Sequence, residues 1–367
     1  MPHNLAVKPM TDEHSDSKRL IRYVDAISEA CAQEMQRDEK VFVFGLDVDD
    51  HKAIQGSTAG LVEKFGPDRC FGTPLSEDAM TGMAIGAAMA GYRPVHVHIR
   101  MDFMMLAMNQ LVNIASKAHY MYGKQVKVPL VVRTMVGRSW GQGAQHSQAL
   151  HSMFMHVPGL KVVAPSNAHD AKGLMIAAIR DDNPVIYMEH RLLCNMQSYV
   201  ASEPYVTPLG KARIMREGKD ITIIGISHMV IESLRASHYL EKAGIDAEII
   251  DPISLQPLDM DAIVASVKKT GRLLVVDNGW LTCGASAEIL TQVMEALPQG
   301  IGGKHIAMAR MGFADTPCPT TKPLENLFYP NGKTIAEKAF RLIDPKGKID
   351  LPSDHEIKEV DEFKGPF

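Results

Sequence analysis

The sequence predicts an α/β protein of two domains, each a parallel β-sheet in a three-layer arrangement with helices on both faces. Short continuous apolar runs rich in Val, Ile and Phe suit strands buried on both sides. These runs alternate with segments whose apolar residues recur at helical spacing. The chain has 367 residues, enough for two or three domains, and the alternation is interrupted once, so two successive series are predicted.

The first series begins with an amphipathic pattern from Asp16 to about Arg37, which predicts a helix, followed by the apolar run VFVFGLD at 41–47, which predicts a strand. Further strands are predicted at residues 69–74, 93–99, 128–134, 160–165 and 184–190, and helices at 58–65, 77–90, 103–122, from Ser147, and at 168–180. Strands alternating with helices in this way are typical of a parallel sheet.

A second, smaller series follows a polar stretch that contains Pro204 and Pro208. Its predicted strands are 220–226, 246–252, 272–278 and 305–312, and its predicted helices are 229–243, 260–270 and 285–297. We therefore predict a loose tail (1–15), a first domain (16–195), a linker (196–208), a second domain (209–345) and a polar tail (346–367).

Composition excludes several classes of protein. Hydrophobic residues make up 46% of the chain and charged residues 22%, with a formal net charge of -4, so neither nucleic acid nor an anionic membrane is expected as a partner. The longest weakly charged run, residues 79–92, is shorter than the roughly 20 residues of a membrane span. The five cysteines are far apart and form no C-x-x-C pair, which favours neither a disulfide framework nor a zinc site. A cytoplasmic protein is the default expectation.

Open parallel sheets bind ligands beyond the carboxyl ends of their strands, so the polar residues that follow strands are the candidates for function. Glu77 and Asp78 follow one such strand and open an uncharged Ala- and Gly-rich segment. In one interpretation Ser76 caps the N-terminus of a helix, and the helix dipole stabilises the two acidic side chains in its first turn. In the other, a carboxyl group in an apolar pocket has a raised pKa and shares a proton with a ligand. Local sequence does not decide between them.

Histidines stand at two other candidate positions. His96 and His98 share one face of a strand, but no acid or cysteine accompanies them at ligand spacing, so a metal site is not favoured. His146 and His151 lie in and after a Gly-rich loop at 137–145, which could bring imidazole close to a ligand. A structural histidine remains the alternative for each.

Phosphate-loop, dinucleotide-binding and G-x-S-x-G motifs are absent. Several long blocks are more informative: GTPLSEDAMTGMAIGAAMAGYRPV, DFMMLAMNQLVNIASKAHYMYG, GAQHSQALHSMFMHVPGLKVVAPSNAHDAKGLMIAAIRDDNPVIYMEH and SLQPLDMDAIVASVKKTGRLLVVDNGW. In order, over roughly residues 18–345, the chain resembles the β subunit of thiamine-diphosphate-dependent 2-oxo acid dehydrogenases. These β subunits belong to the E1 components of pyruvate, branched-chain and acetoin dehydrogenase complexes. The GAQHSQ block is most similar to the acetoin type.

The resemblance implies a pyrimidine-binding domain of transketolase type, a smaller C-terminal transketolase-type domain, and thiamine diphosphate with Mg²⁺ as cofactor. The family holds Mg²⁺ and diphosphate with a G-D-G…N motif on its α subunit, and that motif is absent here. An E1 α subunit in an α2β2 assembly with a β–β contact is therefore implied. An E2 lipoyl acyltransferase is a further implied partner, although residues 316–332 depart from the family pattern used for that docking.

By resemblance, Glu77 is the carboxyl group that hydrogen-bonds N1′ of the aminopyrimidine and so favours the tautomer that activates thiazolium C2. Phe103 is the aromatic residue that stacks on the pyrimidine, and Ile99 is a further cofactor contact. His146 is the histidine that stabilises charge or helps to pass the acyl group to lipoamide. A structural K⁺ is implied by one further set of positions: Leu130, Ala178, Asp181 and Asn183.

The segment before Phe103 departs from the family because it carries His98 and Arg100. Either Arg100 pairs with an acid such as Asp102 or one on the partner chain, or His98 and Arg100 contact an anionic group of the substrate. The implied activity is decarboxylation of a 2-oxo acid, or cleavage of acetoin, with transfer of the acyl group to lipoamide. The alternatives are a split-transketolase-like subunit that moves two-carbon ketol units between sugars, and a non-catalytic scaffold.

Overall fold

The structure is a computed structural model that describes residues 19–50, 52–138 and 141–346. The chain divides into two compact units, the first made of residues 1–135 and 157–209 and the second of residues 136–156 and 210–367. The predicted domain bounds differ from this division, because residues 136–156 group with the second unit. The predicted tail at 1–15 lies outside the described residues, and only Lys346 of the tail at 346–367 is described.

Strands and helices alternate through the first unit as its sequence predicts. Its strands are β1 (Leu20–Arg22), β2 (Val41–Gly45), β3 (Cys70–Gly72), β4 (Arg93–His98), β5 (Val131–Val136), β6 (Lys161–Val163), β7 (Val185–His190) and β8 (Gln197–Tyr199). Its α-helices are α1 (Tyr23–Arg37), α2 (Leu61–Phe65), α3 (Glu77–Met89), α4 (Ser116–Met121) and α6 (Ala168–Arg180), while α5 (His151–Met155) belongs to the second unit.

Six strands of the first unit lie side by side in the order β6-β7-β5-β4-β2-β3. The pairs β2–β3, β2–β4, β4–β5 and β6–β7 are parallel. Strand β2 approaches β4 so closely that a Cβ on Gly45, whose φ is +149°, would lie 2.3 Å from the carbonyl oxygen of Val97. Only glycine fits there, so the carboxyl ends of these two strands are held tightly together.

Helices cover both faces of this sheet. On one face, the hydroxyl of Tyr187 in β7 donates to the carbonyl of Ala171 in α6 at 2.8 Å, and α1 packs against α6. On the other face, Thr81 in α3 contacts His98 in β4. The predicted three-layer arrangement of the first domain is therefore confirmed.

Three local predictions for the first unit are wrong. The helix predicted from Asp16 starts at Tyr23, because residues 20–22 pair antiparallel with β8. That pairing also places residues 197–199 of the predicted linker in a strand. The single helix predicted at 103–122 is instead a 3₁₀ segment (Met101–Ala107), a π segment (Asn109–Ala115) and α4 in succession. Changes of helix type of this kind are frequent near functional sites.

The second unit contains the remaining elements. Its strands are β9 (Arg213–Arg216), β10 (Ile221–Gly225), β11 (Ala247–Asp251), β12 (Ser254–Gln256), β13 (Arg272–Trp280) and β14 (Ala307–Phe313). Its further helices are α7 (His228–Lys242), α8 (Met260–Thr270), α9 (Ala285–Ala296), α10 (Lys322–Phe328) and α11 (Gly332–Ile343). The short helix predicted from Ser147 starts at His151, as α5.

Five strands form the sheet of the second unit in the order β14-β13-β10-β11-β9. Four of them are parallel and β9 runs antiparallel at the edge. Ile223 and Val276 pack on one face in a core with α7 and α11, whereas Thr222 points to the other face and bonds Ser266 of α8 at 2.7 Å. The second domain therefore also has three layers, as predicted.

Some large apolar side chains of the first unit remain exposed. Leu75 is 80% exposed, Leu106 is 61% exposed and Tyr120 is 88% exposed. Exposed apolar groups of this size, when clustered, are typical of surfaces that bind other chains. In the described part of the chain, no helix is both long and apolar enough to cross a membrane.

An ion pair lies in the interior of the first unit. The Arg133 guanidinium donates to both carboxylate oxygens of Glu189, at 2.7 and 3.0 Å, and to the hydroxyl of Ser57 at 2.6 Å. Arg133 is fully buried and Glu189 is 2% exposed. Because water reaches neither group, each charge depends on the other for its compensation.

We expect Arg133→Met to lower the free energy of unfolding by about 3–5 kcal/mol, because Glu189 would be left as a buried charge without its partner. Chemical denaturation measures the change. The matched control is Arg22→Met, whose partner Asp25 is 40% exposed, and it should cost no more than about 1 kcal/mol. Equal losses in the two variants would contradict the importance of burial here.

Candidate functional site

Glu77 is the first residue of α3 and follows the end of β3 by a short loop. Its side chain is half-buried, and no described residue donates a hydrogen bond to its carboxylate. The Ser76 side chain accepts no capping hydrogen bond, so the predicted cap is not formed. The helix dipole still favours the two acids of the first turn, but Glu77 is available to an external donor.

Glu77 opens on a small cavity of about 10 Å³ within the first unit, which is roughly the space of one water molecule. Apolar and polar groups share its wall. The residues that line it with Glu77 are Leu46, Thr73, Pro74, Ser76, Met80, His96, Val97 and His98. The structure therefore brings the predicted carboxylate and the two strand histidines into one place, at the carboxyl end of the sheet where ligands are expected.

The two histidines of this cavity are neutral at physiological pH. Burial lowers the pKa of His96 to about 4, and a smaller effect of the Phe44 backbone acts in the direction of raising it. Burial, with a smaller effect of the neighbouring His96, lowers the pKa of His98 well below its usual value near 6.5. If His98 contacts an anionic group of a substrate, it does so as a neutral imidazole, because desolvation favours the uncharged form.

Packing fixes the orientation of both rings. His96 stacks on Phe44, with ring centroids 4.5 Å apart, and neither of its ring nitrogens has a well-formed hydrogen bond among the described residues. His98 Nε2 lies 3.3 Å from the hydroxyl of Thr81. Across the described residues there is no group of three or more His, Cys, Asp or Glu side chains that could hold a metal ion.

Arg100 and the predicted cofactor contacts lie directly after β4. Ile99, Arg100 and Phe103 are all half-buried. Burial lowers the pKa of the Arg100 guanidinium, whereas Asp102 and Asp47 act in the opposite direction. The pairing of Arg100 with Asp102 or with an acid of a partner chain stays a prediction. Phe103 lies on the 3₁₀ segment one turn further on. Their side chains are thus partly accessible, as a ligand contact requires.

His146 belongs to the second unit, in the loop before α5. Its side chain is half-buried. The loop passes very close to the backbone of Thr320. A Cβ on Gly141, whose φ is +73°, would lie 2.5 Å from the Thr320 carbonyl oxygen. Glycine at this position lets the loop lie flat on the backbone of the same unit.

A buried pair that the sequence did not reveal anchors the end of this loop. His151 Nε2 lies 2.9 Å from a carboxylate oxygen of Asp277 in β13, and both side chains are almost fully buried. His151 was a candidate from its position, but its partner lies 126 residues away along the chain. No local pattern could have paired the two residues, since only the folded topology brings them together.

Among the residues predicted to hold K⁺, each already has partners within the protein. The carbonyl of Leu130 accepts from the backbone N–H of Val185 at 2.9 Å, and that of Ala178 from Asp181 at 3.3 Å. Asp181 pairs with Lys161, and its carboxylate accepts from the backbone N–H of Asn183 at 2.9 Å. Oxygen donors of the right type are present, but an ammonium group already contacts the only carboxylate of this set.

Two family descriptions match the chain. The family "Transketolase, pyrimidine binding domain" matches residues 19–197, and the family "Transketolase, C-terminal domain" matches residues 210–335. A split gene transketolase, solved as an inactive β4 tetramer, is similar in structure with a TM-score of 0.72. The two chains are 20% identical in sequence, and the match covers 88% of this chain and 98% of the transketolase chain. The similarity supports a transketolase-type fold.

Curated relatives are more similar in sequence. The β subunit of acetoin:2,6-dichlorophenolindophenol oxidoreductase from Cupriavidus necator is 42% identical over 324 residues, which are 86% of this chain and 95% of the relative. The mitochondrial pyruvate dehydrogenase E1 β subunit of Pisum sativum is 42% identical over 321 residues, which are 86% of this chain and 89% of the relative. The pyruvate dehydrogenase E1 β subunit of Rickettsia felis is 41% identical over 313 residues, which are 85% of this chain and 95% of the relative.

These matches extend through both units and confirm the predicted resemblance and the transketolase-type fold. The small cavity beside Glu77 lies within the segment that matches the pyrimidine-binding family. The chain belongs to the family of thiamine-diphosphate-dependent E1 β subunits, with a transketolase pyrimidine-binding domain and a transketolase C-terminal domain.

Proposed function

We propose that this chain is the β subunit of an E1 enzyme that decarboxylates a 2-oxo acid, or cleaves acetoin, and transfers the acyl group to lipoamide. The observation that carries the proposal is the Glu77 carboxylate, half-buried beside the cavity and without a donor among the described residues. A carboxylate in this state fits a ligand that brings its own hydrogen-bond donor or proton. N1′ of an aminopyrimidine is such a group.

When bound, thiamine diphosphate supplies the electron sink for cleavage next to a carbonyl group. The residues of this chain bind and orient it. Glu77 holds a proton at the pyrimidine nitrogen, and the apolar walls given by Leu46 and Val97 limit access of water, which strengthens that hydrogen bond. Phe103 would stack on the ring and Ile99 would pack beside it, since both follow β4 and are half-buried.

His146 is proposed to act on the acyl group rather than on the cofactor. An imidazole can stabilise developing charge or carry a proton during transfer to lipoamide. The loop that carries it is held within its own unit at Gly141 by Thr320 and at His151 by Asp277. Two fixed points on either side of His146 limit its positions, as a catalytic loop requires.

The enzyme is proposed to need a partner chain, with an α2β2 assembly in the cytoplasm. The G-D-G…N motif that would hold Mg²⁺ and diphosphate is missing from this chain. Exposed apolar side chains on the first unit, Leu75 and Leu106 among them, provide surface for an α subunit or a second β subunit. Docking to an E2 acyltransferase is proposed as well, through a C-terminal run, residues 316–332, whose sequence differs from the family pattern.

We expect Glu77→Gln to lower kcat of the assembled enzyme by about 10²–10⁴-fold, because the amide cannot share a proton with the pyrimidine nitrogen. Decarboxylation assays give the rate, and light scattering tests whether assembly is unchanged. The matched control is Asp78→Asn, an exposed acid in the same helical turn, which should keep most of the activity. A fully active Glu77→Gln enzyme would remove Glu77 from the mechanism.

We expect the isolated chain to bind thiamine diphosphate weakly, and tight Mg²⁺-dependent binding to appear only after the α subunit is added. The reason is that this chain contributes the pyrimidine side alone, whereas the charged diphosphate needs a metal. Titration calorimetry, with and without Mg²⁺, makes the measurement. Tight binding to the purified chain would rule out the division of the site between two chains.

A structural K⁺ is part of the proposal, with oxygens from Leu130, Ala178, Asp181 and Asn183 as its ligands. Lys161 competes with the ion for Asp181. At equal ionic strength, a bound K⁺ should give a higher Tm in KCl than in choline chloride. We expect this difference in Tm to be larger in Lys161→Met than in the unmodified protein, because the Asp181 carboxylate is then free to bind the cation. The control is Lys127→Met, whose partner Asp182 is 40% exposed. An equal response of both variants would contradict the site.

A further inference from the structure

We propose that Tyr329 is a positioning residue, which fixes the His146 loop (residues 141–147) for transfer of the acyl group. This inference rests on the proposed role of His146 and adds a residue to which the proposed mechanism gives no role. Tyr329 directly follows α10 in the second unit, the unit that also contains the loop. The two segments are far apart along the chain, and the fold brings them together.

The chain that leads into the His146 loop is held by residues around Tyr329. The Arg138 guanidinium donates to the side-chain oxygen of Asn326 at 2.8 Å. The same guanidinium lies 5.6 Å from the centroid of the Tyr329 ring, a distance at which a cation is attracted to an aromatic face. One side of the loop is therefore attached to the Tyr329 ring.

Directly after His146, the hydroxyl of Ser147 lies beside two buried polar groups. These are the Tyr329 hydroxyl and the Cys318 thiol, whose oxygen and sulfur are 3.4 Å apart, and Ser147 acts on the pKa of both. Ser147 is 1% exposed, and its hydroxyl has no well-formed hydrogen bond among the described residues. The hydroxyl and the thiol therefore provide the polar contact for a group that water does not reach.

Tyr329 and Cys318 keep their protons near neutral pH. Burial raises the pKa of the Tyr329 hydroxyl, and Cys318 adds to the rise. Burial also raises the pKa of the Cys318 thiol, whereas Tyr329 and Ser147 act in the opposite direction. Neutral groups that do not titrate in this range can orient a loop, but they are poorly suited to exchange protons with a substrate. Positioning is therefore the role that fits them.

The Tyr329 ring is itself held by aromatic neighbours. It lies edge-on to Phe313 and Phe328, with ring centroids 5.0 and 4.8 Å apart. Phe313 is the last residue of β14, and the backbone N–H of Ala314 donates to the carbonyl of Phe328 at 3.0 Å. Tyr329 thus stands on the carboxyl end of the second sheet, and a support of this kind gives a reactive loop a defined place.

The position of the His146 imidazole depends on these contacts, because His146 is half-buried and directly precedes Ser147. A displacement of about 1 Å can lower the rate of a positioned reaction by about 100-fold. Contacts on both sides of a loop limit such displacements. The expected effect of Tyr329 is therefore on the step in which His146 takes part.

The test uses the assembled enzyme and compares two rates. Turnover with lipoamide requires transfer of the acyl group, whereas turnover with ferricyanide as electron acceptor does not. Tyr329→Phe should lower the ratio of the lipoamide-dependent to the ferricyanide-dependent kcat by about 2- to 10-fold, the range for one neutral hydrogen bond. Ser147→Ala removes the other side of the contact and should have the same effect, so it replaces Tyr329→Phe if that variant does not assemble.

The matched control is Tyr187→Phe. It removes a buried tyrosine hydroxyl that donates to the carbonyl of Ala171 at 2.8 Å in the first unit. Its stability should fall by a similar amount, but the ratio of the two rates should not change, because Tyr187 lies outside the unit that carries the loop.

A double-mutant cycle separates positioning from general destabilisation. In a His146→Ala enzyme, Tyr329→Phe should change the ratio by less than about 2-fold, because the residue that it positions is absent. Hydrogen exchange of the backbone amides of residues 141–147 provides a readout that does not depend on activity. Exchange should be faster in Tyr329→Phe and Ser147→Ala than in the unmodified enzyme, and unchanged in Tyr187→Phe.

Two outcomes would overturn the inference and leave the proposed function intact. One is a ratio that neither Tyr329→Phe nor Ser147→Ala changes. The other is an equal loss from Tyr329→Phe with and without His146, which would show that Tyr329 acts elsewhere. A His146→Ala enzyme that keeps its full ratio would overturn the role of His146, and the inference with it. An unmodified enzyme that assembles, binds the cofactor and turns over neither 2-oxo acids nor acetoin would overturn the proposed function.

Discussion

The sheet of the first unit fixes the candidate site through one constraint, the close approach of β2 and β4 at their carboxyl ends. Gly45 permits that approach because any Cβ there would collide with the carbonyl of Val97. With the two strands together, Phe44 stacks on His96, and the loop after β3 brings Glu77 to the same end. Chemical groups from three separate segments meet because parallel strands end at a common edge. Local helix rules alone do not explain why a carboxylate without a donor begins α3.

Much of this architecture follows from sequence periodicity, and the exceptions have physical causes. The α/β class, the two three-layer sheets and most strand positions could be predicted, because apolar runs and helical spacing are local signals. The β1–β8 pair could not, since residues 20–22 continue the amphipathic pattern of α1 and their partner is distant along the chain. The succession of 3₁₀, π and α turns across 101–121 is set by packing, which does not alter the apolar spacing.

The same distinction applies to the candidate site. Glu77, Phe103 and His146 were predicted through a family resemblance, whereas the neutrality of His96 and His98 depends on burial that no spacing shows. Long-range partners such as Asp277 for His151 and Lys161 for Asp181 also required the fold. Electrostatic properties depend on desolvation and on neighbours from other strands. Sequence therefore gives the identity of candidate groups more readily than their charge.

The exposed apolar side chains of the first unit have a consequence for how cells must produce this protein. Leu75, Leu106 and Tyr120 contact water over most of their surface when the chain is alone. Copies made in excess over a binding partner would present these groups to one another, and self-association would compete with correct pairing. Balanced synthesis of the two polypeptides, as from adjacent genes on one transcript, would keep the surface covered. The exposed apolar surface therefore favours synthesis of this chain and its binding partner in matched amounts.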